Sequence, residues 1–120
     1  MNIRVRVQWT QTALKTLRKL PKKVQRGLLE KADELTHGDP RGAHKPLIGP
    51  LQGCYRITYG RYRAIYRLDE QRKAGGGALL HLKVLFIAAG IRKEHDKNDI
   101  YRLAEKLVRF LSDEDERESL

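Results

Sequence analysis

The segment Lys45–Asp69, which reads KPLIGPLQGCYRITYGRYRAIYRLD, decides the expected fold of this chain. Gly60 and Arg61 stand between two runs rich in β-branched and aromatic residues. Glycine tolerates the positive φ that the first position of a type II′ turn requires, so these two residues make a good hairpin turn. Counting outward from the turn places Thr58 opposite Arg63. The segment therefore predicts an antiparallel β-hairpin in a defined register.

The two faces of this hairpin differ in chemistry, because successive side chains along a strand point to opposite sides. One face is expected to pack on the core and carries Tyr55, Ile57, Tyr59, Tyr62, Ala64 and Tyr66. The other face carries Arg56, Thr58, Arg63 and Arg67, with Arg61 in the turn. Arginine binds phosphate oxygens through a planar fork of donors, so this row predicts a phosphate or nucleic-acid site. The alternative is an ordinary solvated strand face.

The charge of the whole chain favours the nucleic-acid interpretation. The 120 residues include 25 Lys and Arg against 15 Asp and Glu, a formal net charge of +10. Such a balance indicates a polyanionic partner, with membrane lipid as the weaker alternative. No apolar run is long enough to cross a membrane, and the first ten residues alternate polar and apolar side chains instead of forming a signal-peptide core. We therefore expect a cytoplasmic protein with no membrane partner.

The rest of the chain gives elements in the order β, α, α, β, β, β, α. Residues 3–9 alternate as a strand, and Thr10 or Thr12 caps a helix that ends at Pro21, where a second helix begins. Residues 79–89 are nearly continuous apolar sequence, which is typical of a central strand. Asn98 or Asp99 then caps a last amphipathic helix. We expect one domain over residues 1–111 and an acidic, disordered tail over residues 112–120.

No metal or cofactor site is expected. The single cysteine, Cys54, excludes an internal disulfide and a Cys-rich zinc site, and we interpret it as structural. The four histidines are scattered without the spacing of metal ligands.

With these elements in place, the chain resembles the RelE branch of the RelE/ParE toxin superfamily. The helix hairpin carries LRKLPKKV, and four short motifs follow in the family's order and spacing. They are the Pro-Leu-x-Gly loop (Pro46, Leu47, Gly49), a Tyr-Arg strand (Tyr55, Arg56), a Gly-x-Tyr-Arg turn (Gly60, Tyr62, Arg63) and a Gly-x-Arg after the last strand (Gly90, Arg92). The resemblance implies an α+β fold in which a small twisted antiparallel sheet packs against an N-terminal αα-hairpin and a C-terminal helix.

The resemblance also implies an activity. RelE-like toxins enter the ribosomal A site and cut mRNA without a metal, by attack of the ribose 2′-OH on the adjacent phosphate. Arg63 and Arg92 would then stabilise the charge of the transition-state phosphate, with Arg56 beside them. Tyr101 matches the family tyrosine that stacks on an mRNA base. The implied partners are a cognate antitoxin, the ribosome and mRNA.

The sequence does not single out one residue as the general base. Active RelE proteins often carry a lysine pair on the second strand, where this chain has Arg56 and Thr58. Arginine, with a pKa above about 12, is a poor base. The candidates that remain are Lys45, His95 and Tyr101.

Further cations and one tyrosine are candidates for RNA contact. Lys22, Lys23 and Arg26 begin the second helix, where cations oppose the helix dipole, so rRNA contact and a solvated face are both open. Tyr62 adjoins the turn and is the hairpin tyrosine expected to be exposed.

Two other functions compete with mRNA cleavage. A ParE-like toxin would inhibit DNA gyrase without cutting RNA, and a decayed RNA-binding module would bind without catalysis. The arginine row favours RelE chemistry over the first, and Thr58 keeps the second open.

Overall fold

The computed structural model describes residues 2–42, 44–72, 79–93, 96 and 99–114. Its strands are β1 (Asn2–Trp9), β2 (Cys54–Tyr59), β3 (Tyr62–Arg72) and β4 (Leu79–Ile91). Its helices are α1 (Gln11–Arg18), α2 (Lys22–Glu34) and α3 (Ile100–Glu114), and a short 3₁₀ turn covers Gly49–Leu51. The predicted order of strands and helices is confirmed.

The four strands form one sheet in the order β1-β4-β3-β2. The β2–β3 and β3–β4 pairs are antiparallel, but β1 runs parallel to β4, with Asn2 opposite Leu79. The α+β class is confirmed, and this parallel pair is the one departure from the antiparallel sheet that the resemblance implies. The segment between β1 and β2 returns the chain to the end of the sheet where β1 begins, so β2 runs in the direction of β1. Two hairpin reversals then give β4 that direction too.

The register of the β2–β3 hairpin is the one expected from the sequence. Tyr59 pairs with Tyr62, and Thr58 pairs with Arg63. Gly60 has a φ of 58°, the positive value for which a glycine was predicted in the turn. β3 continues beyond the expected end at Asp69 and pairs its Arg72 with Leu80 of β4.

Helices α1 and α2 cover one face of the sheet. Thr10 caps α1, because its Oγ1 accepts a hydrogen bond of 3.0 Å from the backbone N–H of Ala13. Trp9 stacks on Phe86 with ring centroids 4.2 Å apart. The buried residues of this first core are Trp9, Ala13, Leu17, Val24, Leu28, Ala32, Leu35, Ile57, Ala64, Tyr66, Val84, Phe86 and Ala89. The aromatic face of the hairpin therefore packs on the core, as predicted.

The opposite face of the sheet is only partly open. Helix α3 and the 3₁₀ turn pack on it and form a second core of Leu51, Cys54, Ile65, Leu85, Ile87, Ala88, Ile100 and Ala104. The arginine face of the hairpin is thus not a continuous solvated row. Ile65 lies between Arg63 and Arg67 on this face, and its apolar side chain is fully buried. Burying the apolar side of α3 requires such a surface beneath it.

The loop between α2 and the 3₁₀ turn is held to the sheet at two points. Arg41 pairs with Asp39 at 2.8 Å and with Glu70 of β3 at 3.0 Å. His44 Nδ1 lies 3.0 Å from the hydroxyl of Tyr66. Burial and the neighbouring Tyr55 raise the pKa of Tyr66 to about 12, so this hydroxyl stays protonated at neutral pH.

The C-terminal boundary differs from expectation. α3 continues to Glu114, so its backbone includes residues 112–114 of the segment predicted to be a disordered tail. Residues 115–120 lie outside the described part of the chain. None of the described helices is both long enough and apolar enough to cross a lipid bilayer.

Candidate active site

The N-terminal end of α3 brings a tyrosine between two arginines from the sheet side. The Nη1 group of Arg56 in β2 donates a hydrogen bond of 2.7 Å to the hydroxyl of Tyr101. The guanidinium carbon of Arg92, just after β4, lies 4.7 Å from the centroid of the same ring, within the range of a cation–π interaction. Three of the four predicted catalytic residues, Arg56, Arg92 and Tyr101, therefore meet.

A buried carboxylate joins this group. Asp99 is 3% exposed and pairs with Nη1 of Arg92 at 2.9 Å. Its oxygens also accept hydrogen bonds from the backbone N–H groups of Lys93 and of Tyr101, the latter at 3.1 Å. We call Arg56, Arg92, Asp99 and Tyr101 the arginine–tyrosine cluster. Asp99 fixes both the end of β4 and the start of α3, and it is one of the two residues predicted to cap this helix.

The backbone around Arg92 is fixed on its other side as well. The N–H of Arg92 donates a hydrogen bond of 2.8 Å to the carbonyl oxygen of Arg61 in the hairpin turn. Two residues earlier, a Cβ at Gly90 would lie 3.2 Å from Cδ1 of Ile100. The glycine of the Gly-x-Arg motif thus lets the first residue of α3 approach β4 closely. This approach places Tyr101 within reach of Arg92.

Arg63 lies in the same row as Arg56 and next to the turn. It pairs with Thr58 on one side and with Gly90 on the other. Its Nη1 donates to the carbonyl oxygens of Gly60 at 2.8 Å and Tyr62 at 3.0 Å. Its Nε is buried and has no hydrogen-bond partner within the described structure. Buried donors without partners are rare, and each one in a native fold calls for an explanation such as a functional role.

Several predicted contact residues lie away from the cluster. Arg67 is half-buried and lies 3.5 Å from Asp69, on the far side of Ile65. Tyr62 packs against the first core instead of beside Arg63, because alternation along β3 puts the two side chains on opposite faces. The expectation that Tyr62 is exposed is therefore wrong in part, since the side chain is half-buried.

The remaining predicted cations differ in exposure and place. Lys22, Lys23 and Arg26 are exposed on α2, in the helix layer across the sheet from the cluster. Lys45 is exposed in the loop before the 3₁₀ turn, and within the described structure it makes no hydrogen bond with the cluster. Arg61 and Thr58 are exposed at the turn end of the hairpin. His95 lies outside the described residues.

Sequence reasoning missed the link between Asp99 and Arg92. Asp99 was expected to act as a helix cap, and the cap is present, but its ion pair with Arg92 depends on the path of the connecting segment. Among the described residues, no three His, Cys, Asp or Glu side chains come together in a way that would hold a metal ion. Toward solvent the cluster offers two guanidinium groups and one aromatic ring, because its carboxylate is buried: it can bind and stabilise a phosphate beside a stacked base.

Comparison with known proteins gives the same family at several levels. A family model described as the ParE toxin of the type II toxin–antitoxin system parDE matches residues 7–76. Toxin RelG of Mycobacterium tuberculosis is 31% identical over 96 residues, which cover 80% of this chain and 94% of RelG.

Solved structures of relatives share the fold. The toxin–antitoxin complex RelBE2 of M. tuberculosis contains a chain with a TM-score of 0.57 and 29% identity, covering 77% of this chain and all of that one. A double mutant of the E. coli toxin RelE in the free state has a TM-score of 0.56 and 25% identity, over 88% of this chain and 95% of RelE. The model match over more than half of the chain, the RelG identity and the shared fold agree: the chain belongs to the RelE/ParE superfamily and is a toxin of a type II toxin–antitoxin system.

Proposed function

We propose that this toxin is a ribosome-dependent mRNA endonuclease. The observation that carries the proposal is the arginine–tyrosine cluster, in which Arg92 lies over the ring of Tyr101 and Arg56 donates a hydrogen bond to its hydroxyl. Arg63 and Thr58 continue this surface toward the hairpin turn. A ring beside several cations suits a nucleotide, because the base can stack while the phosphate is bound by the arginines.

The proposed reaction is cleavage of one phosphodiester bond by the neighbouring ribose. The 2′-oxygen attacks the phosphorus and loses its proton to a base, while the bond to the 5′-oxygen breaks and that oxygen takes up a proton. The products are a 2′,3′-cyclic phosphate and a 5′-hydroxyl. Negative charge grows on the non-bridging oxygens in between, and preorganised cations such as Arg92 and Arg63 stabilise it.

The direct test adds purified toxin to ribosomes programmed with a defined mRNA and maps the cut ends by primer extension. The wild type is expected to cut within translated codons. Arg92→Ala and Arg63→Ala are expected to lower the single-turnover rate by about a hundredfold or more, the loss typical when a transition-state donor is removed. Arg4→Ala is the matched control, since Arg4 is an exposed arginine in β1, at the opposite edge of the sheet. Full activity in either site variant would refute the assignment.

The mechanism also needs a group that accepts the proton of the 2′-hydroxyl. Arginine is a poor base, so Tyr101, Lys45 and His95 remain the candidates. Thr58 is exposed directly opposite Arg63, where a lysine would point to the same surface. We expect Thr58→Lys to raise the single-turnover rate if the chain lacks an efficient base. A variant that binds ribosomes normally but cuts no faster would show that an efficient base is already present.

Binding should depend strongly on salt, because the formal net charge is +10. Each phosphate that a cation neutralises releases condensed counterions, so affinity for ribosomes falls steeply as salt rises. The measurement is the dissociation constant at several salt concentrations. A flat response between low and physiological ionic strength would remove the RNA-binding part of the proposal.

A second candidate function comes from the matched family model, which is described as a ParE toxin. On this alternative the chain inhibits DNA gyrase by protein–protein contact and cuts no RNA. Induction in cells separates the two proposals, because mRNA ends at codons indicate the endonuclease and double-strand DNA breaks indicate gyrase inhibition. Neither kind of break would indicate an RNA-binding module without catalysis.

We also propose a cognate antitoxin as the protein partner, since the similar M. tuberculosis chain was solved in a toxin–antitoxin complex. The two edge strands β1 and β2 offer backbone groups to which an antitoxin strand can add, and a net charge of +10 favours an acidic segment. Co-expression with the protein encoded beside this chain should restore growth. Isolation of the toxin from its native host without any such partner would count against the proposal.

A further inference from the structure

We infer that Asp99 is a positioning residue that sets the orientation of the Arg92 guanidinium for the phosphate. This inference rests on the proposed endonuclease function and assigns to the reaction a residue that would not itself touch the substrate. The side chain of Asp99 is 4% exposed, whereas that of Arg92 is 34% exposed. The carboxylate is thus buried, whereas the arginine that it binds is partly exposed to solvent.

The geometry fixes the guanidinium in two independent ways. Asp99 Oδ2 accepts a hydrogen bond of 2.9 Å from Nη1. The ring of Tyr101 lies 4.7 Å from its central carbon. A planar fork that is held both by a carboxylate and by a ring has little rotational freedom left, so little ordering is required when phosphate arrives.

The same carboxylate sets the position of the ring. Asp99 Oδ2 accepts the backbone N–H of Tyr101 at 3.1 Å, and Oδ1 accepts the N–H of Lys93 next to Arg92. One buried carboxylate therefore positions both the arginine and the tyrosine of the site. Arg56 completes the chain of contacts through its hydrogen bond of 2.7 Å to the tyrosine hydroxyl.

A negative charge beside a phosphate-binding arginine has a cost, because it opposes the anion that the arginine must bind. A chain that kept Arg92 only for charge would do better with a neutral cap, since serine and asparagine cap helices about as well as aspartate. The enclosed carboxylate is explained if orientation of the fork matters more to the rate than the added net positive charge. Substitutions that keep the cap and remove the charge separate these two roles.

The test uses Asp99→Asn and Asp99→Ser in single-turnover cleavage on programmed ribosomes, with the wild type as the positive control. Both variants retain a side chain that can cap α3, and neither can form the ion pair with Arg92. We expect the rate to fall by about a hundredfold, as for a reacting group displaced by about 1 Å, while the dissociation constant for ribosomes stays within about twofold. Thr10→Ala, which removes the cap of α1 in the first core, controls for loss of a helix cap elsewhere and is expected to cut at the wild-type rate.

A double-mutant cycle with Arg92→Lys distinguishes positioning from a merely structural role. Lysine keeps the charge but has no planar fork to orient. Asparagine at position 99 keeps an oxygen that can accept the backbone N–H of Tyr101, so adding Asp99→Asn to Arg92→Lys is expected to change the rate by no more than about twofold. An equal loss in both backgrounds would assign Asp99 to the structure alone and overturn the inference.

Two further outcomes distinguish failure of the inference from failure of the proposed function. Wild-type cleavage with full activity in both Asp99 variants would overturn the inference and leave the proposed function standing. Absence of cleavage by the wild type would refute the proposed function, and the inference would fall with it.

Discussion

The two faces of the sheet differ in the size of the core that covers them. The first core buries two helices against β2, β3 and β4 and includes the Trp9–Phe86 stack at 4.2 Å. The second core rests on α3 and a three-residue turn, and the arginine–tyrosine cluster lies at its edge. We infer that the first core supplies most of the stability and that the second supplies the site. Sites built from the less stable part of a fold are common, because ligand-binding elements need to move.

Truncation of a large side chain in each core should give the largest difference between the faces. Leu28 is fully buried in the first core, so Leu28→Ala should lower the free energy of unfolding by about 2–5 kcal/mol. Leu107 is half-buried against the second core, and Leu107→Ala should cost roughly half as much or less. Urea unfolding with matched m-values measures both, and a larger loss for Leu107→Ala would reverse the comparison.

Two glycines test the same contrast on a smaller scale. A Cβ at Gly27 of α2 would overlap the ring of Tyr59, so Gly27→Ala should cost about 1–3 kcal/mol in spite of the better helix propensity of alanine. A Cβ at Gly90 would meet the flexible tip of Ile100 at 3.2 Å, so Gly90→Ala should cost less than about 1 kcal/mol. Thermal unfolding ranks the two variants. Equal losses would mean that the second face is packed as rigidly as the first.

Cys54 reports how easily the second face opens. The residue is 1% exposed, and burial raises the pKa of its thiol, so labelling of the folded protein at neutral pH should be slow. We expect labelling by iodoacetamide to proceed through local opening of the second core, with an opening free energy below that of global unfolding. Denaturant dependence of the labelling rate gives both quantities. If the two free energies coincide, the second core opens only when the whole fold does.

The smallest expected effect concerns pH and His44. Burial, with a contribution from Lys31, lowers the pKa of His44 below its ordinary value of 6.5. The unfolded chain therefore binds the proton more readily than the folded one, so stability is retained above pH 6.5 and decreases as pH falls below it. Urea midpoints measured from pH 7.5 to pH 5 should show this decrease, and His44→Gln should reduce it. An unchanged slope in that variant would assign the effect to other groups.

The parts of the fold that could be predicted are those with a local physical cause. The turn at Gly60 and the Thr58–Arg63 register follow from one glycine and from strand alternation, and the central position of β4 follows from its apolar run. The parallel direction of β1 relative to β4 has no local cause, since alternation of side chains predicts a strand but not the strand with which it pairs.

The site was predictable in its residues but not in its connections. Arg56, Arg92 and Tyr101 were expected from the motifs, but their contacts depend on α3 packing across the second face. The Asp99–Arg92 ion pair could not be predicted either, because two charged residues in a polar loop give no sign that one of them is buried. These contacts therefore depend on long-range packing, which local sequence patterns do not predict.

The parallel pairing of β1 with β4 also affects when the protein can be completed during its synthesis. Asn2 pairs with Leu79 and Trp9 with Phe86, so the first strand made has no partner until the last strand has emerged. At about 5–20 residues per second, that wait lasts on the order of ten seconds, and Arg92 and Tyr101 appear only after it. A growing chain therefore has most of its cations before it can assemble the arginine–tyrosine cluster, which forms only when translation of the domain is almost over.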